Sequence, residues 1–279
     1  MSSTAPALFP ALPPALSHLT ALLPRTPLVE AALQHARAHS APFAFNHAVR
    51  SWLLATLVGR AHPTLRRRPV DREVVAVACL LHDLGWDPTG ACVSGGRRFE
   101  VDGADAAVRF LREEAPAGWD GGGGGGEEGN GVLVADDDAG GGGGGGDDDD
   151  VRGYKGRKTQ QVWDACALHT TGSIAFCKEP VVAVVAYGIW ADFQGPANTL
   201  PPDMLTWADY DAVVRAYPRL GLLGELKDIM CGLCRTKPAT TYDNTVGEWG
   251  ELFVDGYSRE GHRTAEMLLK FTPALDARE

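Results

Sequence analysis

Residues 73–86 read Glu73-Val74-Val75-Ala76-Val77-Ala78-Cys79-Leu80-Leu81-His82-Asp83-Leu84-Gly85-Trp86, and this stretch decides the fold. Its eight consecutive apolar residues, Val74 to Leu81, predict an element buried on every side. Periodicity alone does not separate a buried strand from a buried helix here. The Ala- and Leu-rich ending, with Gly85 as a C-terminal stop, favours helix. Two ionisable side chains, His82 and Asp83, stand at the end of this rod. A buried carboxylate is tolerated only when it is paired or bound to a metal. The dyad therefore requires a partner.

Working outward, the flanking segments also carry helical spacing. Apolar residues at Leu28, Leu33 and Ala36 predict a short helix over 28–38, and Phe43, Val49, Trp52 and Leu57 a second over 43–58. Ala107, Phe110 and Leu111 mark the inner face of a helix over 104–114. Val162, Cys166 and His169 share a face in a helix from Thr159. A second fully apolar rod, Val181 to Ala191, opens after Pro180 and ends in Asp192 before Phe193-Gln194-Gly195-Pro196 stops it. Helices are also expected over 210–226 and 257–271. No stretch shows period-two alternation, so the expected class is all-α.

Composition bounds the remaining possibilities. The 279 residues suffice for one large domain, and an apolar share of 44% permits a substantial core. The net charge of −10 is concentrated: residues 115–150 hold ten of the 36 acids and no Lys or Arg, and elsewhere acids and bases balance. Glycine and acid runs of this kind do not bury enough surface to order themselves, so 115–150 is expected to be a disordered loop insertion. Arg66-Arg67-Arg68 reads as a solvated loop, and no basic surface argues for a nucleic-acid partner. The six cysteines are scattered and read as reduced thiols, with Cys231 and Cys234 one helical turn apart. Residues 1–27 are Pro-rich, are expected to be only loosely ordered, and lack the basic start of a secretory signal. No apolar run approaches the roughly 20 residues of a membrane span. A cytoplasmic protein without a membrane partner is expected, with 28–279 as one helical domain.

Two apolar rods thus end in ligating groups, His82-Asp83 and Asp192, and His47 near the start of its own helix is a further candidate. Two imidazoles and two carboxylates form a mixed N/O set suited to a divalent cation: zinc, with iron(II) and manganese also admitted.

The order His47, His82-Asp83, Asp192 resembles the HD-domain superfamily of metal-dependent helical enzymes. Further stretches are Phe45-Asn46-His47-Ala48-Val49-Arg50-Ser51, Leu81-His82-Asp83-Leu84-Gly85 and Arg98-Phe99-Glu100-Val101-Asp102-Gly103-Ala104. Ala167-Leu168-His169-Thr170-Thr171-Gly172-Ser173-Ile174-Ala175, Lys178-Glu179-Pro180, Ala191-Asp192-Phe193 and Thr241-Tyr242-Asp243-Asn244 complete the set. Together they look like the HD-type cyanamide hydratases of fungi, over roughly residues 40–260 apart from the insertion. The resemblance implies an HD-type helical bundle and a zinc-dependent lyase adding water to cyanamide, or another small nitrile, to give urea. A metal lowers the pKa of bound water towards neutrality and so supplies hydroxide. Developing charge on the terminal nitrogen calls for a proton donor. Glu100, Asp102 and His169 are the candidates, set against a capping role for the two acids and a ligand-orienting role for His169.

Two other functions fit the same residues. An HD-type phosphohydrolase acting on a nucleotide or other phosphomonoester would need cations around the metal, with Arg50, Arg97, Arg98 and Lys178 as candidates. A non-catalytic metal-bound module would use the acidic insertion to hold a basic partner. The sequence is compatible with a homo-oligomer.

Overall fold

The computed structural model describes residues 12–121, 156–276 and 278. Eleven α-helices lie among them, together with short 3-10 turns and no strands. In chain order they are α1 (Pro27–His39), α2 (Pro42–Ala61), α3 (Arg72–Leu81), α4 (Phe99–Glu114), α5 (Arg157–Leu168) and α6 (Gly172–Ala175). There follow α7 (Pro180–Asn198), α8 (Trp207–Ala216), α9 (Leu222–Thr236), α10 (Thr245–Phe253) and α11 (Thr264–Asp276). The all-α expectation holds.

Local chemistry sets the helix starts. Pro27, Pro42 and Pro180 occupy first-turn positions of α1, α2 and α7, where a missing N–H costs nothing. Thr26 caps α1 by accepting from Val29 N, and Asp71 caps α3 by accepting from Glu73 N and Val74 N. α3 is the buried rod: every residue from Val74 to Leu81 is buried, in contact with α1, α2, α5 and α7. Each fully buried Val or Leu contributes about 1.5–3 kcal/mol before the entropy of ordering is counted. α2 packs along α7, the second rod, which breaks at Gly195 (φ 65°) where the Gly-Pro pair predicted a stop.

Four boundaries differ from expectation. The helix expected over 257–271 begins only at Thr264, as α11, and residues 257–263 lie outside any helix. The segment before α1 is not loose throughout: Leu16 and Leu19, on a 3-10 turn at Pro14–Leu19, are fully buried, while residues 1–11 lie outside the described set. α4 starts at Phe99, five residues early, so Glu100 and Asp102 occupy its first turn and do not cap it. The helix expected over 210–226 is two helices, separated at Pro218, with Leu220 (φ 52°) and Gly221 (φ 77°) in left-handed conformation.

The insertion expected at 115–150 falls largely on residues 122–155, outside the described residues. Its first residues belong to the folded body. Trp119 packs against the main core and donates Nε1–H to Glu73 at 2.6 Å. Asp120 accepts from Lys158 N and Thr159 N, the free donors at the start of α5, so it caps the helix that resumes after the insertion. Arg66, Arg67 and Arg68 are exposed, and Cys231 and Cys234 are buried free thiols on α9.

Two glycines let α4 press its first turn against the His82–Trp86 bend. A Cβ on Gly85 would collide with the Phe99 carbonyl, and one on Gly103 would lie 2.9 Å from the His82 carbonyl oxygen. This reciprocal approach fixes Glu100 and the turn after it relative to His82 and Asp83.

Candidate metal centre

His47 comes from α2, His82 and Asp83 from the end of α3, and His169 from the residue closing α5. All four are buried. Each imidazole is held through its Nδ1 by a group that only accepts. His47 Nδ1–H donates to Asp192 Oδ2 at 2.7 Å, His82 Nδ1–H to the Cys79 carbonyl at 2.8 Å, and His169 Nδ1–H to the Cys166 carbonyl at 2.6 Å. Those partners fix the tautomer, so each Nε2 of a neutral ring carries a lone pair. All three Nε2 atoms turn towards Asp83. The His82 and His47 nitrogens are 3.0 and 3.7 Å from Asp83 Oδ2, and that of His169 is 3.4 Å from Oδ1. The His47 and His82 Nε2 atoms are 3.3 Å apart.

Neither carboxylate oxygen of Asp83 has a hydrogen-bond donor among the described residues. Three imidazole lone pairs and a carboxylate thus converge without a proton between them. Buried, such an arrangement is unfavourable unless a cation or added protons neutralise it. Donor atoms of His47, His82 and Asp83 lie within 4.8 Å of one another, close enough to share one ion. Borderline divalent metals suit this donor set.

Asp192, expected as the fourth ligand, stands behind His47. Its oxygens accept Arg50 Nε–H and Nη2–H, both at 2.8 Å, and Arg219 Nη1–H at 3.1 Å, besides His47. Burial pushes its pKa up, and the His47 and Arg50 contacts more than reverse it. Carboxylates in this position orient a ligating histidine and raise its basicity. One sequence signal marks the arrangement: His47 and Arg50 are three apart on one helix face, where a single acid can bridge both.

The candidate proton-moving residues separate. Asp102 is committed elsewhere: it accepts from Ser94 N and Oγ and from Lys237 Nζ at 3.0, 2.6 and 2.9 Å. It is a clamp between the loop before α4 and the end of α9, and a proton-moving role does not fit it. Glu100 is fully buried and takes Arg98 Nη2–H and Thr170 Oγ1–H on Oε1, both at 2.8 Å. Burial raises its pKa, but the Arg98 contact prevails and holds it below the ordinary glutamate value.

Thr170, which sequence reasoning did not single out, lines a cavity of about 430 Å³ together with His47, Asp83 and His169. Trp86, Trp190 and Trp249 supply much of its wall, with Ile189, Leu226 and Met230. A more open hollow lined by Tyr242, Asp243 and Asn244 shares Thr170, Trp190 and Thr245 with it.

Helices that deliver a histidine, an adjoining His-Asp pair and a further imidazole to one buried point bring together a donor set able to hold a divalent cation. The family model of the HD domain matches residues 44–118, a segment that includes His47, His82, Asp83, Glu100 and Asp102. This supports the HD superfamily, whose members bind divalent metals, and an all-α bundle of HD type. Among curated proteins none matches the chain. Among the described residues no helix is long and apolar enough to cross a membrane.

Proposed function

We propose that this protein is a metal-dependent enzyme that adds water to a small nitrile, converting cyanamide to urea. The observation that carries the reading is the convergence of His47, His82, His169 and Asp83 lone pairs beside a cavity walled mainly by tryptophan and aliphatic side chains. His47, His82 and Asp83 hold the metal, His169 offers a further nitrogen donor, and Asp192 orients His47. Zinc is the favoured ion. Bound there, a divalent cation would lower the pKa of water towards neutrality and supply a nucleophile at neutral pH.

The protein's own residues serve the rest of the reaction. The Trp86 Nε1–H is buried, lacks an acceptor among the described residues, and lines the cavity, so it can orient an uncharged nitrogen substrate. Thr170 Oγ1 passes a proton between the cavity and Glu100 Oε1, its hydrogen-bond acceptor. The tryptophan and aliphatic walls lower the local dielectric, which strengthens polar contacts beside them.

A phosphomonoester is the less favoured substrate because every cation considered for it is already paired. Arg50 is bound to Asp192, Arg97 to Asp105, Arg98 to Glu100 and Lys178 to Asp164. Arg219, which lines the cavity, is also paired with Asp192, though a third of its side chain is exposed. That exposure favours the phosphohydrolase, as does the HD-domain match, since many HD-domain enzymes are metal-dependent phosphohydrolases. Elemental analysis of the purified chain, with urea assayed from cyanamide and phosphate from p-nitrophenyl phosphate and nucleoside monophosphates, tests the reading. Metal with urea release is expected; phosphate release without urea would transfer the site to the phosphohydrolase.

A further inference from the structure

Past Asp83 the chain makes a 3-10 turn, Leu84–Trp86, and reaches Asp87, where it meets the last residue of α1. His39 Nδ1 lies 3.1 Å from Asp87 Oδ2, and Cys92 Sγ lies 4.0 Å from the same nitrogen. The three donor atoms fall within 4.8 Å of one another. Asp87's side chain is fully buried and Cys92 is buried, whereas a quarter of the His39 side chain remains exposed. The cluster is therefore closed on the protein side and open along one imidazole edge.

The geometry points to a second divalent-cation site, of zinc type, formed by His39 Nδ1, Asp87 Oδ2 and Cys92 Sγ and separate from the centre at His47, His82 and Asp83. Tetrahedral zinc, with bonds of about 2.0 Å to N or O and about 2.3 Å to S, sets ligand–ligand edges of roughly 3.3 and 3.6 Å. The two separations from His39 Nδ1, 3.1 Å to oxygen and 4.0 Å to sulfur, lie within a few tenths of an ångström of those edges, and the oxygen and sulfur lie within 4.8 Å of each other. Imidazole, carboxylate and thiolate together select zinc over magnesium or calcium, which take oxygen donors.

The carboxylate is already oriented. Asp87 Oδ1 accepts Thr89 N–H at 2.8 Å, and Oδ2 accepts Thr89 Oγ1–H at 2.8 Å and Cys92 N–H at 3.1 Å. Such outer contacts typically fix a ligating acid. An ion pair with a turn cap would explain Asp87 and His39, but it makes no use of the Cys92 sulfur beside them. Burial and Asp87 push the Cys92 thiol up to about 12, so a cation entering here must displace the thiol proton. Three protein ligands leave the fourth position to water. The inference does not rest on the nitrile reading.

Cobalt(II) titration of the full chain, stripped of metal with a chelator, tests it. Two equivalents per chain are expected, with a thiolate-to-cobalt charge-transfer band in the near ultraviolet. Cys92→Ser should lose that band and one equivalent while keeping the helical circular dichroism. His39→Gln provides the same readout should the serine variant fail to fold. His82→Ala should retain the thiolate band, because its loss belongs to the other centre. Absence of the thiolate band in the unaltered chain, or a band that survives in folded Cys92→Ser or His39→Gln, would overturn the site; one equivalent with the band present would uphold it and count against the other centre.

Discussion

Lys237 Nζ reaches Asp102 Oδ2 at 2.9 Å across 135 residues of chain, and both side chains are nearly sealed from water. The same ammonium donates to the Ser94 and Arg97 carbonyls at 3.1 and 3.0 Å. One buried cation thus ties the end of α9 to the loop leading into α4, and α4 carries Glu100. Lys237→Met leaves buried Asp102 with only the more distant Arg97 Nε, 3.7 Å away, as a cation partner, so the loss should approach the cost of breaking a buried pair, about 3–5 kcal/mol. Urea denaturation should show a lower midpoint. Asp102→Leu combined with Lys237→Met should recover part of the loss, because no charge is then stranded. A single variant as stable as the parent would show the contact to be incidental.

Asp192 and the direct ligands should respond differently to substitution. Asp192→Asn keeps the shape but removes the charge facing His47 and Arg50, so metal affinity should fall about 10–100-fold, the usual effect of losing an outer partner. His82→Ala should abolish binding at this centre. Competition with a chromogenic chelator measures both. Equal and complete loss in the two variants would return Asp192 to the set of direct ligands.

Glu100 carries a prediction about acid stability. Its folded pKa lies below the ordinary value of 4.5, because Arg98 outweighs burial. Its contribution is therefore fully present above about 4.5 and fades as pH falls through the lower folded value. Glu100→Gln should be less stable than the parent at neutral pH, and the gap should narrow on acidification below 4.5. Thermal melts at a series of pH values would read this. A gap independent of pH would mean that charge is not what Glu100 contributes.

How much of this was legible beforehand depends on how local each signal is. The α3 rod and its His82-Asp83 end were readable because eight apolar neighbours leave a polar dyad no solvent to face. The start of α4 was not, since Glu100, Asp102 and Gly103 look like a loop until Gly103 is seen packed on the His82 carbonyl. Tyr210 to Leu226 carried helical spacing that Pro218 and Gly221 override. Sequence showed that Asp192 needs neutralising, but not whether Arg50, a histidine or a metal does it; that choice is made by tertiary geometry. The ring orientation of His169 depends on the Cys166 carbonyl, and the role of Thr170 on an acid seventy residues away.

That hydroxyl gives the sharpest test of proton movement. Thr170 is the contact through which Glu100, itself not lining the cavity, communicates with it. Thr170→Val preserves the branched shape and deletes the hydroxyl, so metal content should be unchanged while turnover falls, by about 10²–10⁴-fold if the relay supplies ordinary general acid–base catalysis. Thr170→Ser restores an O–H at the same place and should recover most of the rate. A merely structural threonine would give a different pattern: a lower melting temperature in the valine variant, an unchanged rate per folded molecule, and no rescue by serine. Steady-state urea production by the three proteins, each normalised to bound metal, separates the two outcomes. Substitution of Glu100 by Gln should match the valine variant in rate, since either change interrupts the same path at a different atom.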